Sequence, residues 1–217
     1  MSRNCYVDHR NRVVVFFSPK VANTTITKAF AEMYNIKNRQ ELNRQGFNHG
    51  FRQAFQLLRG NQSYQSIYLI RHPYERLISA FLEKFVVRSS GSKITSTNEM
   101  EPFAKKAYID MVSDGVVSEC SNHNIVTFKQ FIAFVCGRIT SRSGREPNLD
   151  NHFNTQIPFF FSDQDFEFDN VFPFDRIEQF FSRWEEITGY DIKRRHDRKH
   201  SVLSRNDSQF GDLTDVR

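Results

Sequence analysis

The stretch "VVVFFSPKVANTT", residues 13–25, decides the fold class that the sequence predicts. Its first five residues are apolar and either β-branched or aromatic, which is typical of a strand buried on both faces. The apolar run breaks at Ser18-Pro19, and a single lysine follows at position 20. Apolar side chains then recur with the spacing of an amphipathic helix: Ile26, Ala29, Phe30, Met33 and Tyr34. The stretch therefore predicts a strand, a tight loop and a helix, with Asn23 or Thr24 as the N-cap.

The loop between this strand and helix suits an anion. A helix N-terminus offers unpaired N–H groups and the positive end of the macrodipole, so it attracts phosphate or sulfate. Lys20 adds a full charge, and Asn23, Thr24 and Thr25 add donors. From the loop alone, a second interpretation is equally supported, in which Asn23 and Thr24 only cap the helix and Lys20 is solvated. The loop has no glycine, which argues against a GxxxxGK[ST] loop wrapped around a triphosphate.

A second strand, "SIYLI" at residues 66–70, ends at "RHPYERLIS". Arg71 lies at the strand end, and Ser79 follows just over two helical turns later. Arginine recognises phosphate through two parallel hydrogen bonds, and a serine hydroxyl on the same side would complete the site. Considered alone, Arg71 could instead form a surface salt bridge with Glu75. Ser79 alone could be an ordinary serine of a helix.

The rest of the chain continues the alternation of strands and helices. Further helices are predicted for residues 51–58, 73–85, 101–113, 127–138 and 177–187, and a third strand within 169–175. Residues 35–48 are polar and irregular, and 88–99 predict a mobile loop. The pattern indicates an α/β fold with a P-loop-like, mostly parallel sheet flanked by helices, in a single domain over residues 1–217. Ligands of such sheets bind beyond the carboxyl ends of the strands.

Composition limits the class of protein. The chain is 39% hydrophobic and 25% charged, as in ordinary globular proteins. No run approaches the roughly 18 apolar residues of a membrane span, and the polar N-terminus does not resemble a secretory signal. Three scattered cysteines without CxxC spacing indicate reduced thiols and argue against a zinc site. We therefore expect a soluble, cytoplasmic protein with no metal and no membrane partner. A net charge of +5 suits an anionic ligand.

Together, "SPKVANTT" and "RHPYERLISAF" resemble the two cofactor motifs of the PAPS-dependent carbohydrate sulfotransferases, the Golgi-type group with the heparan and chondroitin enzymes. In that family a PKxxxT-type loop holds the 5′-phosphosulfate of PAPS (3′-phosphoadenosine 5′-phosphosulfate). An R-[DH]-P-x-x-R-x-x-S segment holds its 3′-phosphate. The resemblance implies transfer of a sulfonate from PAPS to a hydroxyl of a carbohydrate or carbohydrate-like acceptor. It implies these donor-binding residues: Pro19, Lys20, Ala22, Asn23, Thr24, Thr25, Arg71 and Ser79.

The loop departs from the commoner family pattern at Ala22-Asn23, where the family has Gly-Ser or Gly-Cys. Ala22 is small enough for close backbone approach, although less free than glycine. The resemblance also implies that Lys20 supplies positive charge near the leaving phosphate during an in-line transfer.

The same resemblance points to two alternative histidine bases. His49, in "GFNHGF", matches a catalytic histidine of the heparan-type 2-O-sulfotransferases, and we expect it to be the base. His152, in "LDNHFNTQ", is the alternative, because that segment resembles a D-x-H-W-x-P-Q segment at the acceptor site. Glu178, in "FDRIEQF", is a candidate for orienting the acceptor or the histidine, or is simply a first-turn acid that complements the helix dipole.

Other classes of function fit the sequence less well. An ATP-dependent kinase or NTPase would need a glycine-rich loop and a Mg²⁺-binding aspartate. A basic nucleic-acid-binding domain is disfavoured because the basic residues are spread along the chain. The basic tail, residues 193–217, is interpreted as a segment that meets an acidic glycan, closes over the nucleotide or is solvated.

Overall fold

The structure is a computed structural model that describes residues 5–87, 92–118, 126–140, 149–157 and 166–192. The basic tail and most of the segment 140–151 lie outside the described residues. The described chain forms two compact units: one takes the residues up to Pro73 and from Gln156 onward, and the other takes Tyr74–Thr155. The expectation of a single domain over the whole chain stays a prediction.

The first unit contains the β-sheet. Its strands are β1 (Cys5–Asp8), β2 (Val13–Phe16), β3 (Asn48–His49), β4 (Gln65–Ile70) and β5 (Asn170–Pro173), in the order β3-β1-β2-β4-β5. Strands β2, β4 and β5 are parallel neighbours, and β1 is antiparallel to both β2 and β3. Four of these five strands therefore run in one direction, which confirms the predicted mostly parallel α/β sheet. All four carboxyl ends meet at one edge, called here the carboxyl edge.

Helices cover both faces of this sheet. They are α1 (Asn23–Met33), α2 (Arg39–Arg44), α3 (Phe51–Gly60) and α7 (Ile177–Thr188). One face packs Val13, Val15 and Leu69 with side chains of α1, α2 and α7 into a buried core. The other face packs Val14 and Phe16 with the apolar side of α3. Burial on both faces explains the uninterrupted apolar run of β2.

The second unit is helical. It contains α5 (Pro102–Ser113), α6 (Phe128–Thr140) and most of α4 (Pro73–Phe81), which continues as a π-helix over Leu82–Val86. A short 3₁₀ turn occupies Thr97–Glu99, within the stretch predicted as a mobile loop. Phenylalanines dominate its core, and Phe81, Phe131 and Phe153 are almost completely buried. The predicted helices at 101–113 and 127–138 are thus confirmed.

The interpretation of residues 35–48 as irregular was wrong, because they contain α2 and the first residue of β3. No strand was predicted at the polar N-terminus, which forms β1. Asp8 makes the sequence of β1 resemble a polar loop, although its side chain is buried. Its carboxylate accepts hydrogen bonds from Asn11 N at 2.9 Å and from Asn11 Nδ2 at 2.7 Å. In the part of the chain that the structure describes, no helix has the length and apolar character needed to cross a membrane.

Candidate active site

The register of the sheet brings several candidate residues to the carboxyl edge. Phe16 pairs with Cys5 and with Tyr68, and Cys5 pairs with His49. The loop bearing Lys20 follows β2 at this edge, and Arg71 follows β4. Because β2 and β4 are adjacent and parallel, the two segments that the sequence predicts to bind the donor emerge side by side.

The loop after β2 adopts backbone angles that usually need glycine. Lys20 has φ of 70° and Ala22 has φ of 49°, both in the left-handed region. For a residue with a side chain this conformation costs about 1–2 kcal/mol. Non-glycine residues held in it cluster at functional sites, and such turns direct successive N–H groups into one anion-binding concavity. The loop thus adopts, without glycine, a backbone conformation that usually requires it.

Helix α1 begins at Asn23 with Ala22 as its N-cap, so the expected capping by Asn23 or Thr24 was wrong. No side chain caps this helix. Asn23 Oδ1 instead accepts a hydrogen bond from Thr27 Oγ1 at 3.2 Å, one turn along the helix. The first backbone bond closes from Ile26 N to Ala22 O at 2.9 Å. The N–H groups of the first turn therefore remain directed towards the loop that carries Lys20.

Arg71 is held at the carboxyl edge by three kinds of contact. Its Nη1 donates to Lys20 O at 3.3 Å, and its guanidinium lies 4.9 Å from the centroid of the Phe174 ring. Its backbone N–H donates to Gln156 Oε1 at 2.9 Å, and its carbonyl accepts from Gln156 Nε2 at 2.6 Å. The structure thus joins Arg71 directly to the Lys20 loop.

A histidine–aspartate pair lies in the second unit. His152 Nδ1 lies 2.5 Å from Asp150 Oδ1, and the backbone N–H of His152 donates to the same oxygen at 2.9 Å. The imidazole stacks on Phe103, with ring centroids 5.1 Å apart. Burial raises the pKa of the Asp150 carboxyl, but the hydrogen bonds and charge of His152 outweigh it, so the pKa lies below its ordinary value. A carboxylate hydrogen-bonded to Nδ1 restricts the orientation of the imidazole ring and leaves Nε2 as its other polar atom.

Arg76 holds the backbone of the segment that carries this pair. Its side chain is buried, and Nη1 donates to His152 O at 3.1 Å, while Nη2 donates to Asn154 O. Arg76 is the second arginine of the R-H-P-x-x-R-x-x-S segment. No role was predicted for Arg76, Asp150 or Gln156, although all three lie within the segments "RHPYERLIS" and "LDNHFNTQ".

A model of the sulfotransferase family matches residues 3–214. The chain belongs to the sulfotransferase family. Searches of curated proteins and of solved structures returned no match. The family match covers both motifs and the histidine–aspartate segment, and it supports sulfonyl transfer as the general activity.

His49 lies in a different setting from His152. Its backbone is on β3, two strands from β2, which corresponds to about 10 Å across the sheet. Its carbonyl accepts from Cys5 Sγ at 3.2 Å. Its ring packs edge-on against His9, with centroids 6.1 Å apart, and His9 lies beyond the end of β1 that is opposite the carboxyl edge. The ring of His49 therefore leans away from the Lys20 loop.

The remaining predicted site residues differ in their burial and in the elements that carry them. Ser79 is partly buried on α4 in the second unit. Glu178 is exposed in the first turn of α7, which follows β5 at the carboxyl edge. Pro19 is buried, Thr24 is exposed and Thr25 is partly buried. Among the described residues, no group of three His, Cys, Asp or Glu side chains could hold a metal ion.

A cavity of about 200 Å³ lies beside the histidine–aspartate pair within the second unit. Aromatic side chains of Phe103, Phe134 and Phe153 form much of its wall. Lys106, Asp110 and Asp150 contribute polar groups. The same Phe103 that stacks on His152 thus also faces this cavity.

The left-handed backbone at Ala22 yields a stability prediction. Ala22→Gly relieves about 1–2 kcal/mol of strain but gives the unfolded chain about 0.4–1 kcal/mol more entropy. We therefore expect urea unfolding to show that Ala22→Gly raises the free energy of unfolding by between zero and about 1.6 kcal/mol. Ala31→Gly, in the interior of the same helix, is the matched control and should lose about 1 kcal/mol. Equal losses in both variants would contradict the left-handed assignment.

The lowered pKa of Asp150 predicts a pH-dependent contribution to stability. Such a carboxyl stabilises the fold above its unfolded-state pKa, about 3.9, and this stabilisation is lost as the pH falls through the folded-state value. The free energy of unfolding of wild type should exceed that of Asp150→Asn most at neutral pH, and the difference should shrink below pH 4. Urea titrations at several pH values measure this. In a His152→Ala background the pH dependence should weaken; an unchanged dependence would assign it to another group.

Proposed function

We propose that this protein transfers a sulfonate group from PAPS to a hydroxyl group of a carbohydrate or carbohydrate-like acceptor. The observation that carries the proposal is the Lys20 loop of this member of the sulfotransferase family, because its left-handed residues and its helix N-terminus without a side-chain cap suit an anion. A kinase reading has no comparable support, because the same loop lacks the glycines that wrap a triphosphate.

The residues of the loop fit a 5′-phosphosulfate. The first-turn N–H groups of α1 and the dipole of that helix favour negative charge, and Lys20 adds a cation at the mouth of the turn. Bound there, PAPS supplies an activated sulfonate whose departure leaves charge on the 5′-phosphate. Lys20 and the helix N-terminus stabilise that developing charge.

Arg71 and Ser79 would bind the 3′-phosphate. Stacking on Phe174 and the bond to Lys20 O hold the planar guanidinium in one orientation, which favours bidentate recognition of phosphate. Reading this second phosphate separates PAPS from ordinary adenine nucleotides.

We propose His152 as the base in preference to His49. The acceptor oxygen forms a bond to sulfur while the bond from sulfur to the 5′-phosphate oxygen breaks, and the hydroxyl proton passes to Nε2 of the imidazole. Asp150 holds Nδ1–H and stabilises the imidazolium that results. The ring of His49 leans instead towards His9.

The cavity beside His152 is our candidate for the acceptor. Sugar rings present apolar C–H faces that pack on aromatic side chains, and hydroxyl groups that bond to carboxylates and amines. The walls of this cavity offer both, through Phe103, Phe134 and Asp110. Glu178, exposed at the carboxyl edge, is a weaker candidate for contacting the acceptor.

Nucleotide binding tests the donor assignment. In a thermal-shift titration, PAP (the desulfated product) at 100 times its dissociation constant should add about 2.7 kcal/mol of stability. Adenosine 5′-monophosphate should add much less, because it lacks the 3′-phosphate. Arg71→Ala should remove most of the preference for PAP. Stabilisation by Mg²⁺-ATP alone would replace the sulfotransferase assignment with a kinase.

Kinetics of two histidine variants test the base. His152→Ala should keep the affinity for PAP but lower kcat about 10²–10⁴-fold, the usual loss for a general base. His49→Ala is the matched control and should retain most activity. Transfer measured with radiolabelled PAPS over a panel of oligosaccharides provides the assay. The reverse pattern, with activity lost only in His49→Ala, would move the base to His49.

A further inference from the structure

We propose that Gln156 is a positioning residue of the donor site, which fixes the peptide of Arg71 so that the guanidinium can read the 3′-phosphate. This inference rests on the proposed function, because it gives Arg71 that role. The segment "LDNHFNTQ" suggested a place at the acceptor side, whereas its last residue contacts the donor segments.

The side chain of Gln156 pairs with Arg71 as a peptide group of a neighbouring strand would. Its Oε1 accepts from Arg71 N at 2.9 Å, and its Nε2 donates to Arg71 O at 2.6 Å. Both backbone polar groups of one residue are therefore satisfied by a single carboxamide. Two simultaneous bonds fix the orientation of the Arg71 peptide as well as its position.

This pairing begins where the strand ladders stop. The pairing of β4 with β2 ends at Tyr68 and Phe16, and its pairing with β5 ends at Ile70 and Pro173. Pro173 has no N–H to donate, so β5 cannot extend the ladder in the usual way. Arg71 is the next residue after β4, and its backbone groups need partners because unpaired buried peptide groups are costly. Gln156 supplies them.

Gln156 is itself held by two buried side chains. Tyr68 Oη donates to Gln156 O at 2.8 Å, and Ser18 Oγ donates to Gln156 Oε1 at 3.4 Å. Tyr68 belongs to β4, and Ser18 begins the loop after β2. Gln156 therefore contacts the ends of both strands from which the donor-binding segments emerge.

The contacts continue from Arg71 to Lys20, whose carbonyl accepts from Arg71 Nη1 at 3.3 Å. One carboxamide thereby fixes the residue that joins the two donor motifs.

The test is Gln156→Glu, which keeps the shape of the side chain. The change places a carboxylate oxygen against Arg71 O in place of a donor, and the new charge attracts the Arg71 guanidinium. By isothermal titration we expect the dissociation constant of PAP to rise about tenfold or more, as for the loss of a charge-assisted contact. The dissociation constant of adenosine 5′-monophosphate, which lacks the 3′-phosphate, should change by less than about threefold. A tenfold change would need the loss of about 1.4 kcal/mol of binding free energy.

Gln65→Glu is the matched control. Gln65 is the first residue of β4, at the end of the strand opposite Arg71, and its Oε1 accepts from Arg183 Nη2 at 3.1 Å. The control should leave both affinities unchanged. Tyr68→Phe, which removes only the bond to Gln156 O, is a milder second variant and should weaken PAP binding less than Gln156→Glu does. It keeps the test valid if Gln156→Glu does not fold.

Amide hydrogen exchange adds a readout that needs no ligand: exchange at Arg71 N–H should accelerate in Gln156→Glu and not in Gln65→Glu. Unchanged PAP affinity in Gln156→Glu and Tyr68→Phe, or an equal loss for both nucleotides, would overturn the positioning role. A wild-type protein with no preference for PAP would instead overturn the proposed function and, with it, the role of Gln156.

Discussion

The parallel pairing of β2 with β4 is the constraint on which the site depends. Its register, Phe16 opposite Tyr68, places the exits of both strands side by side at the carboxyl edge. The segment after β2 leads through Lys20 into α1, and the segment after β4 leads through Arg71 into α4. Two segments that we propose to bind anions, some fifty residues apart in sequence, are thereby brought together by backbone hydrogen bonds that depend little on the side chains of the motifs.

The sequence predicted the two strand–loop–helix units because their signals are local. An apolar β-branched run followed by helical periodicity identifies a strand, loop and helix without knowledge of their partners. The same reasoning missed β1, in which the buried carboxylate of Asp8 accepts hydrogen bonds from Asn11. It also missed β3, which is only two residues long. A buried charge that is satisfied by a neighbour three residues away looks, in sequence, like a polar loop.

The site residues were predictable only in part, for a related reason. Lys20 and Arg71 carry charge, and charge at the end of a strand is visible in sequence. The left-handed backbone of Ala22 is not visible, because alanine gives no sign of φ; only its place in the motif pointed to a glycine-like turn. The pairing of Gln156 with Arg71 joins residues 85 positions apart, and no periodicity encodes such a contact.

The absence of glycine from the loop therefore does not conflict with anion binding. Glycine makes a left-handed turn easy, but the turn can also be held by what surrounds it. Ser18, Pro19 and Val21 are buried, and Val21 N donates to Ser18 O at 3.2 Å, which closes the turn before α1 begins. Alanine at position 22 then costs stability that the packed loop can tolerate, and in return the loop loses the freedom to sample other shapes. A rigid loop suits a ligand with a single phosphosulfate, because the N–H groups need one fixed direction and not the adaptable wrap that a triphosphate demands.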